Sequence, residues 1–108
     1  MMINVLKRDG EVAEFNLQKI GDAISKAFTA TQKIFNEDII NLLALRVTSD
    51  FQSKVKDGTI SVEDIQDSVE HILEQSGYTD VAKAYILYRK NREKSRNMRS
   101  TILDYKDI

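Results

Sequence analysis

Residues 2–28 read MINVLKRDGEVAEFNLQKIGDAISKAF. In this segment Asp9-Gly10 separates two short β-prone runs, one from Met2 to Leu6 and one ending at Phe15. An Asp-Gly pair in that position predicts a β-hairpin, because glycine adopts the positive φ that a tight turn requires. Asn16 then precedes an amphipathic segment, and asparagine is a preferred helix N-cap. The segment therefore predicts strand, turn, strand and helix in direct succession.

Apolar residues at helical spacing define the first helix and lie on one face of it. These residues are Leu17, Ile20, Ile24, Ala27 and Phe28. After a connection over Thr29–Phe35, Asn36 is expected to cap a second helix that runs to about Val55. Gly58 is expected to end that helix as a left-handed residue.

Two more helices are predicted, capped by Ser61 and Thr79, and the last is expected to reach about Arg99. Thr59-Ile60 is β-prone and can add a third short strand beside the hairpin. We therefore expect an α+β, mainly helical fold. An N-terminal hairpin, or three short strands, would cap a bundle of about four helices.

Composition limits the class of protein. The chain has 108 residues, of which 42% are hydrophobic and 31% charged, as expected for one globular domain. It has no cysteine, and no apolar run long enough to cross a bilayer. A net charge of −1 gives no overall attraction to nucleic acid. These features favour a cytoplasmic protein that acts neither in a membrane nor on DNA.

Three basic residues form a candidate anion site. Lys7 and Arg8 lie on the predicted turn, and Lys19 lies in the first turn of the following helix. The positive end of that helix and these side chains together suit phosphate oxygens. The alternative is a solvated basic turn beside an exposed helical lysine.

Apolar residues near the same element ends are candidates for a purine pocket. Val5, Val62 and Ile65 are expected to form its wall, whereas Phe15 and Ile20 are assigned to the core. Asn16 either caps its helix or contacts an adenine edge, since its amide both donates and accepts hydrogen bonds.

A run of arginines follows on the fourth helix. Arg89, Arg92, Arg96 and Arg99 share one face if the helix continues. Three interpretations of the run stay open: a solvated face that complements the C-terminal helix dipole, phosphate contacts from its first turns, or docking on an acidic partner surface.

The chain carries no pattern typical of catalysis. It has no phosphate-binding Gly-rich loop, no nucleophile with a paired base and no metal-ligand spacing. Binding is therefore favoured over catalysis.

The pattern V-x-K-R-D-G-x-x-x-x-F-N-x-x-K-I-x-x-A-I resembles the opening of an ATP-cone domain, the regulatory module of many ribonucleotide reductases. The resemblance covers residues 3 to 92 and includes the segments Ile60–Asp67 and Ala82–Arg89. The ending Tyr85–Arg92 is most similar to the anaerobic, class III ribonucleoside-triphosphate reductases.

The resemblance implies an allosteric domain that binds ATP or dATP, with ATP permitting turnover and dATP stopping it. Phosphates would be held by Lys7, Arg8 and Lys19, and the base and sugar by Val5, Asn16, Val62 and Ile65. Gln66 and Tyr88 occupy positions where some members have histidine, and Arg92 is a further phosphate candidate. Mg²⁺ with the nucleotide and a homo-oligomer are left open.

The resemblance also implies a larger parent protein. Residues 1–99 would be the ATP cone and 100–108 a linker toward the catalytic domain, because no reductase cysteine is present here. Two alternatives are kept: the cone of a reductase-gene repressor, and a helical interaction module that binds no nucleotide. The repressor would carry a four-cysteine zinc ribbon before its cone.

Overall fold

The computed structural model of the protein describes residues 3–91. The described elements, in chain order, are β1 (Asn4–Leu6), β2 (Val12–Glu14), α1 (Leu17–Ala30), α2 (Glu37–Phe51), a 3₁₀ turn (Gln52–Lys54), β3 (Thr59–Ser61), α3 (Val62–Gln75) and α4 (79–91). The predicted α+β, mainly helical fold is confirmed. The predicted continuation of α4 to Arg99 and the tail 100–108 lie outside the described residues.

A three-stranded sheet of order β2-β1-β3 caps the helices. β1 pairs with β2 antiparallel through the predicted hairpin and with β3 parallel, so the predicted third strand is confirmed. In the turn the Lys7 N–H donates to the Glu11 carbonyl at 2.8 Å. Gly10 has φ +89°, the left-handed conformation that favours glycine there.

Side-chain caps begin the first three helices as predicted. Asn16 Oδ1 accepts from the Gln18 N–H at 2.9 Å, and Asn36 Oδ1 accepts from the Ile39 N–H at 2.9 Å. Ser61 Oγ accepts from the Asp64 N–H at 3.1 Å. Each contact satisfies a backbone donor that the helix itself leaves free. Thr79 is the first residue of α4 and not the residue before it.

The core lies between the helices, with α2 packed against both α1 and α3. Its fully buried large side chains are Phe28, Phe51, Ile24, Leu73, Val47, Val69 and Val81. Of the apolar residues predicted to share one face of α1, Ile20, Ile24, Ala27 and Phe28 are buried, whereas Leu17 is 39% exposed. Leu17 is the first residue of α1.

The end of α2 differs from the prediction for a local reason. The α-helix stops at Phe51, a single 3₁₀ turn follows, and Val55 is already extended. Gly58 does have positive φ, but it serves a tight turn rather than a helix end. Asp57 and Gly58 both have positive φ, and Lys56 and Thr59 exchange two backbone hydrogen bonds of 2.9 Å. That combination is the type I′ turn, which directs the chain into β3.

The predicted connection before α2 is shorter than expected, because α1 continues to Ala30. Within residues 3–91, no helix is both long and apolar enough to cross a membrane.

Candidate functional site

A cavity of about 280 Å³ opens between the sheet, α1, α3 and α4. All predicted site residues that are described line this cavity. They are Val5, Lys7, Arg8, Asn16, Lys19, Val62, Ile65, Gln66 and Tyr88. The remaining predicted residue, Arg92, lies outside the described residues. Residues that are distant in the sequence therefore meet at one surface.

One side of the cavity is apolar. Val5 of β1 faces Ala13 of β2 in the antiparallel register, and both line the cavity because they share one face of the sheet. Val62 and Ile65 contribute the first turns of α3 opposite them. Phe15 and Ile20, assigned to the core, also reach the cavity. Ile20 is buried as expected, whereas Phe15 is only half-buried, with its ring edge-to-face on Phe51 at 5.4 Å.

The other side is cationic. Lys7 and Arg8 come from the hairpin turn, and Lys19 comes from the first turn of α1. Arg8 Nε lies 3.4 Å from Glu63 Oε1 at the start of α3. Over residues 3–91, neither Lys7 nor Lys19 forms an ion pair with a carboxylate. The cluster therefore offers two unpaired ammonium groups and one paired guanidinium to an anion.

Two amides add hydrogen-bonding groups. Asn16 uses its oxygen for the α1 cap, and its amide nitrogen makes no hydrogen bond to any described residue. Gln66 Oε1 is buried and accepts no hydrogen bond within the described part of the chain. A buried acceptor without a donor is costly, so Gln66 Oε1 is suited to a ligand that donates.

Arg89 joins α4 to α3 at the edge of the cavity. Its Nη1 donates to Asp67 Oδ1 and to Glu70 Oε1, both at 3.0 Å. Burial lowers the pKa of Arg89, but these two charged hydrogen bonds outweigh it and the pKa is raised overall. Of the three interpretations left open for the arginine run, Arg89 does not fit the solvated face, since its side chain is only 19% exposed. The other three arginines of the run lie outside the described residues.

Tyrosines complete the wall contributed by α4. Burial raises the pKa of Tyr85 from 10.0 to about 12, so its phenol stays neutral at physiological pH. Tyr88 is half-buried and lines the cavity, with Lys26 Nζ 5.9 Å from its ring centroid. The two tyrosines thus present an uncharged surface beside Arg89, and that surface suits an aromatic ring or a sugar.

Sequence reasoning missed several lining residues, namely Ala13, Glu14, Ala23, Val69, Tyr85 and Arg89. Ala13 could have been predicted as a lining residue from the hairpin register, because it pairs with Val5. The place of Arg89 in the cavity could not be predicted in this way, because it depends on how α4 packs against α3. No group of three or more His, Asp or Glu residues is arranged for a metal ion within residues 3–91.

The sequence profile described as the ATP cone domain matches residues 3–94, nearly the whole chain. The chain belongs to the ATP-cone family. The cavity of this ATP cone is thus formed by the hairpin and by the helix starts that carried the resemblance.

Known relatives of this ATP cone are ribonucleotide reductases of several kinds. The alpha subunit of a ribonucleoside-diphosphate reductase of Chlamydia pneumoniae is 44% identical over 101 residues, which are 88% of this chain and 10% of that protein. An anaerobic ribonucleoside-triphosphate reductase of Haemophilus influenzae is 39% identical over 98 residues, 91% of this chain and 14% of that protein. A vitamin B12-dependent ribonucleoside-diphosphate reductase of Thermoplasma acidophilum is 41% identical over 97 residues, 85% of this chain and 12% of that protein. The chain spans about a tenth of the length of these curated relatives.

Proposed function

We propose that this ATP cone is an allosteric regulatory domain of a ribonucleotide reductase. On this proposal it binds ATP and dATP, with ATP permitting turnover and dATP stopping it. The observation that carries the proposal is the cavity, whose apolar wall adjoins a cluster of three cations. Nucleotides have this same division between an apolar ring and an anionic tail.

The lining residues fit a nucleoside triphosphate. Lys7, Arg8 and Lys19 would hold phosphate oxygens through charge-assisted hydrogen bonds. The base would lie against Val5, Val62 and Ile65. The volume of about 280 Å³ is near the lower end of ligand pockets, roughly 300–1,000 Å³. Such a volume suits the base and sugar, with the phosphates over the cationic side.

ATP and dATP differ by one hydroxyl, so a switch that senses both must admit both. Regulation would then be a population shift, in which each nucleotide favours a different arrangement of the whole protein. We propose that this protein is the anaerobic, triphosphate-reducing class, on the strength of the ending Tyr85–Arg92. The relatives include three kinds of reductase at similar identity, so the class needs its own assay. We also propose residues 1–99 as the cone, 100–108 as the linker, and a cytoplasmic location.

Titration calorimetry of the 108-residue chain with ATP, dATP and GTP, with and without Mg²⁺, tests nucleotide binding. We expect ATP and dATP to bind, and GTP to bind about 5- to 150-fold more weakly. GTP presents a 6-oxo acceptor where adenine presents a 6-amino donor, and an unpaired buried polar group costs roughly 1–3 kcal/mol. Equal affinity for ATP and GTP would reduce the site to a generic phosphate patch. Failure of every nucleotide to bind would instead support the interaction module.

The class of reductase, and whether ATP and dATP raise or lower its activity, are tested on the full-length polypeptide. Reduction of ribonucleoside triphosphates, faster with ATP and slower with dATP, is expected. Reduction of diphosphates alone would contradict the anaerobic assignment while leaving the ATP cone as a regulator.

A substitution at Asn16 can separate its role as the helix cap of α1 from a direct contact with the nucleotide. Asn16→Ser keeps a side-chain acceptor for the α1 cap but removes the amide nitrogen, so the melting temperature should change little. We expect ATP affinity to fall about 5- to 10-fold, the loss of one hydrogen bond of roughly 1 kcal/mol or slightly more. Asn36→Ser, at the cap of α2 and away from the cavity, is the matched control. Unchanged ATP affinity in Asn16→Ser would restrict Asn16 to capping.

A further inference from the structure

The ion pair between Arg8 and Glu63 distinguishes Arg8 from the two lysines of the proposed phosphate cluster, Lys7 and Lys19. Arg8 Nε lies 3.4 Å from Glu63 Oε1, joining the hairpin turn to the first turn of α3. Lys7 and Lys19 have no such carboxylate within residues 3–91. Four cationic residues line the cavity, and two of them, Arg8 and Arg89, already carry internal anions. Arg8 is the one that belongs to the proposed phosphate cluster.

We propose that Glu63 competes with the phosphates of the nucleotide for Arg8 and thereby sets the affinity of the site. The inference rests on the proposed nucleotide binding and adds a residue that neither the sequence pattern nor the cavity lining had assigned. The carboxylate of Glu63 pairs with the guanidinium when no phosphate is present. A phosphate that takes its place must first separate the two charges and then lie near the displaced anion.

The surroundings of Glu63 allow this exchange. Its side chain is 58% exposed, whereas that of Arg8 is 26% exposed, so solvent can hydrate the glutamate once it leaves the arginine. Glu63 does not line the main cavity, but with Arg8 it lines a second opening of about 340 Å³ beside it. Arg8 thus borders both openings, whereas Glu63 borders only the second, where Arg89 and Lys90 offer it other cations.

The competition predicts whether a substitution at Glu63 raises or lowers the affinity for ATP. Glu63→Gln keeps the size of the side chain but removes its charge, so ATP should bind about 2- to 5-fold more tightly. That range corresponds to about 0.4–1 kcal/mol, the upper part of the roughly 0.2–1 kcal/mol measured for exposed ion pairs. If Glu63 instead held Arg8 in its binding position, the same variant would bind ATP more weakly. The direction of the change therefore separates the two roles.

Calorimetric titration of Glu63→Gln with ATP, ADP, AMP and adenosine tests the proposal. The gain should be largest for ATP and absent for adenosine, which has no phosphate to compete. Glu74→Gln is the matched control: it removes the same charge from the same helix, eleven residues or about 16 Å further along, and lines neither opening. It should leave ATP affinity unchanged within about 1.5-fold, because surface charges at that distance are screened.

A double-mutant cycle identifies the partner of Glu63. In an Arg8→Ala background the gain from Glu63→Gln should fall below about 1.5-fold, because no guanidinium remains to be released. An equal gain with adenosine, a gain that persists without Arg8, or weaker or unchanged ATP binding would each overturn the proposal. Unmeasurable ATP binding by the unsubstituted chain would overturn the proposed function itself, so the two failures are distinguishable. A melting curve of Glu63→Gln verifies folding, since the variant also loses a helix-dipole contact of roughly 0.3–1 kcal/mol.

Discussion

ATP affinity of the double variant Lys7→Ala, Arg8→Ala should fall by roughly 100-fold or more. Each charge-assisted phosphate contact contributes roughly 1.5–3 kcal/mol, and the variant removes two of them. The fold should survive, because the hairpin turn is held by backbone hydrogen bonds between Lys7 and Glu11 and between Gly10 and Lys7. Truncation of the side chains leaves those bonds in place. Calorimetry gives the affinity, and thermal unfolding verifies the fold.

The control for this variant removes the same charge elsewhere. Lys54→Ala with Lys56→Ala also takes the net charge from −1 to −3, but both residues are exposed and outside the cavity. ATP affinity of the control should change by less than about threefold, since only screened, long-range attraction is lost. Equal losses in the two double variants would mean that net charge, and not this site, governs binding.

Phe51→Ala should destabilise the domain by about 3–5 kcal/mol, the range for removing a buried phenylalanine. Phe51 is fully buried at the end of α2, and its ring packs edge-to-face on Phe15 with the ring planes at 79°. The free energy of unfolding of such domains is only about 5–15 kcal/mol, so this loss is a large share of the total stability. The shift of the urea unfolding midpoint measures it.

Leu45→Ala is the comparison on the same helix. Leu45 is 56% exposed, and surface substitutions usually change stability by less than about 0.5 kcal/mol. If Phe51→Ala is unfolded at 25 °C, Phe51→Leu provides an intermediate midpoint that should still fall below that of Leu45→Ala. Similar midpoints for all three variants would contradict the placement of Phe51 in the core.

Local signals explain why much of the fold was predictable. The Asp-Gly turn and the caps Asn16, Asn36 and Ser61 each act over three or four residues, so the sequence shows them directly. The predicted positions of the turn and the caps were correct because the groups that they bond are close to them in the sequence. The end of α2 was harder to predict, because apolar spacing continues to Val55 after the backbone has left the helix.

For the candidate site, the residues could be predicted but the contacts between their side chains could not. The resemblance gave the residues of the hairpin and of the helix starts, and the structure brings those that it describes to one cavity. The contacts between distant side chains could not be predicted. Arg8 with Glu63, and Arg89 with Asp67 and Glu70, depend on packing between separate elements. Nothing in the local spacing of these residues specifies their partners.

The parallel pairing of β1 with β3 has a kinetic consequence. Asn4 pairs with Thr59, so this part of the sheet forms only after a loop of more than fifty residues has closed. Contacts of such sequence separation form late, because the entropy of loop closure must be overcome first. The hairpin and α1 can form early, but Val62, Ile65 and Gln66 reach the cavity only with β3 and α3. Nucleotide binding should therefore appear in the last phase of refolding, after most of the helical signal has returned.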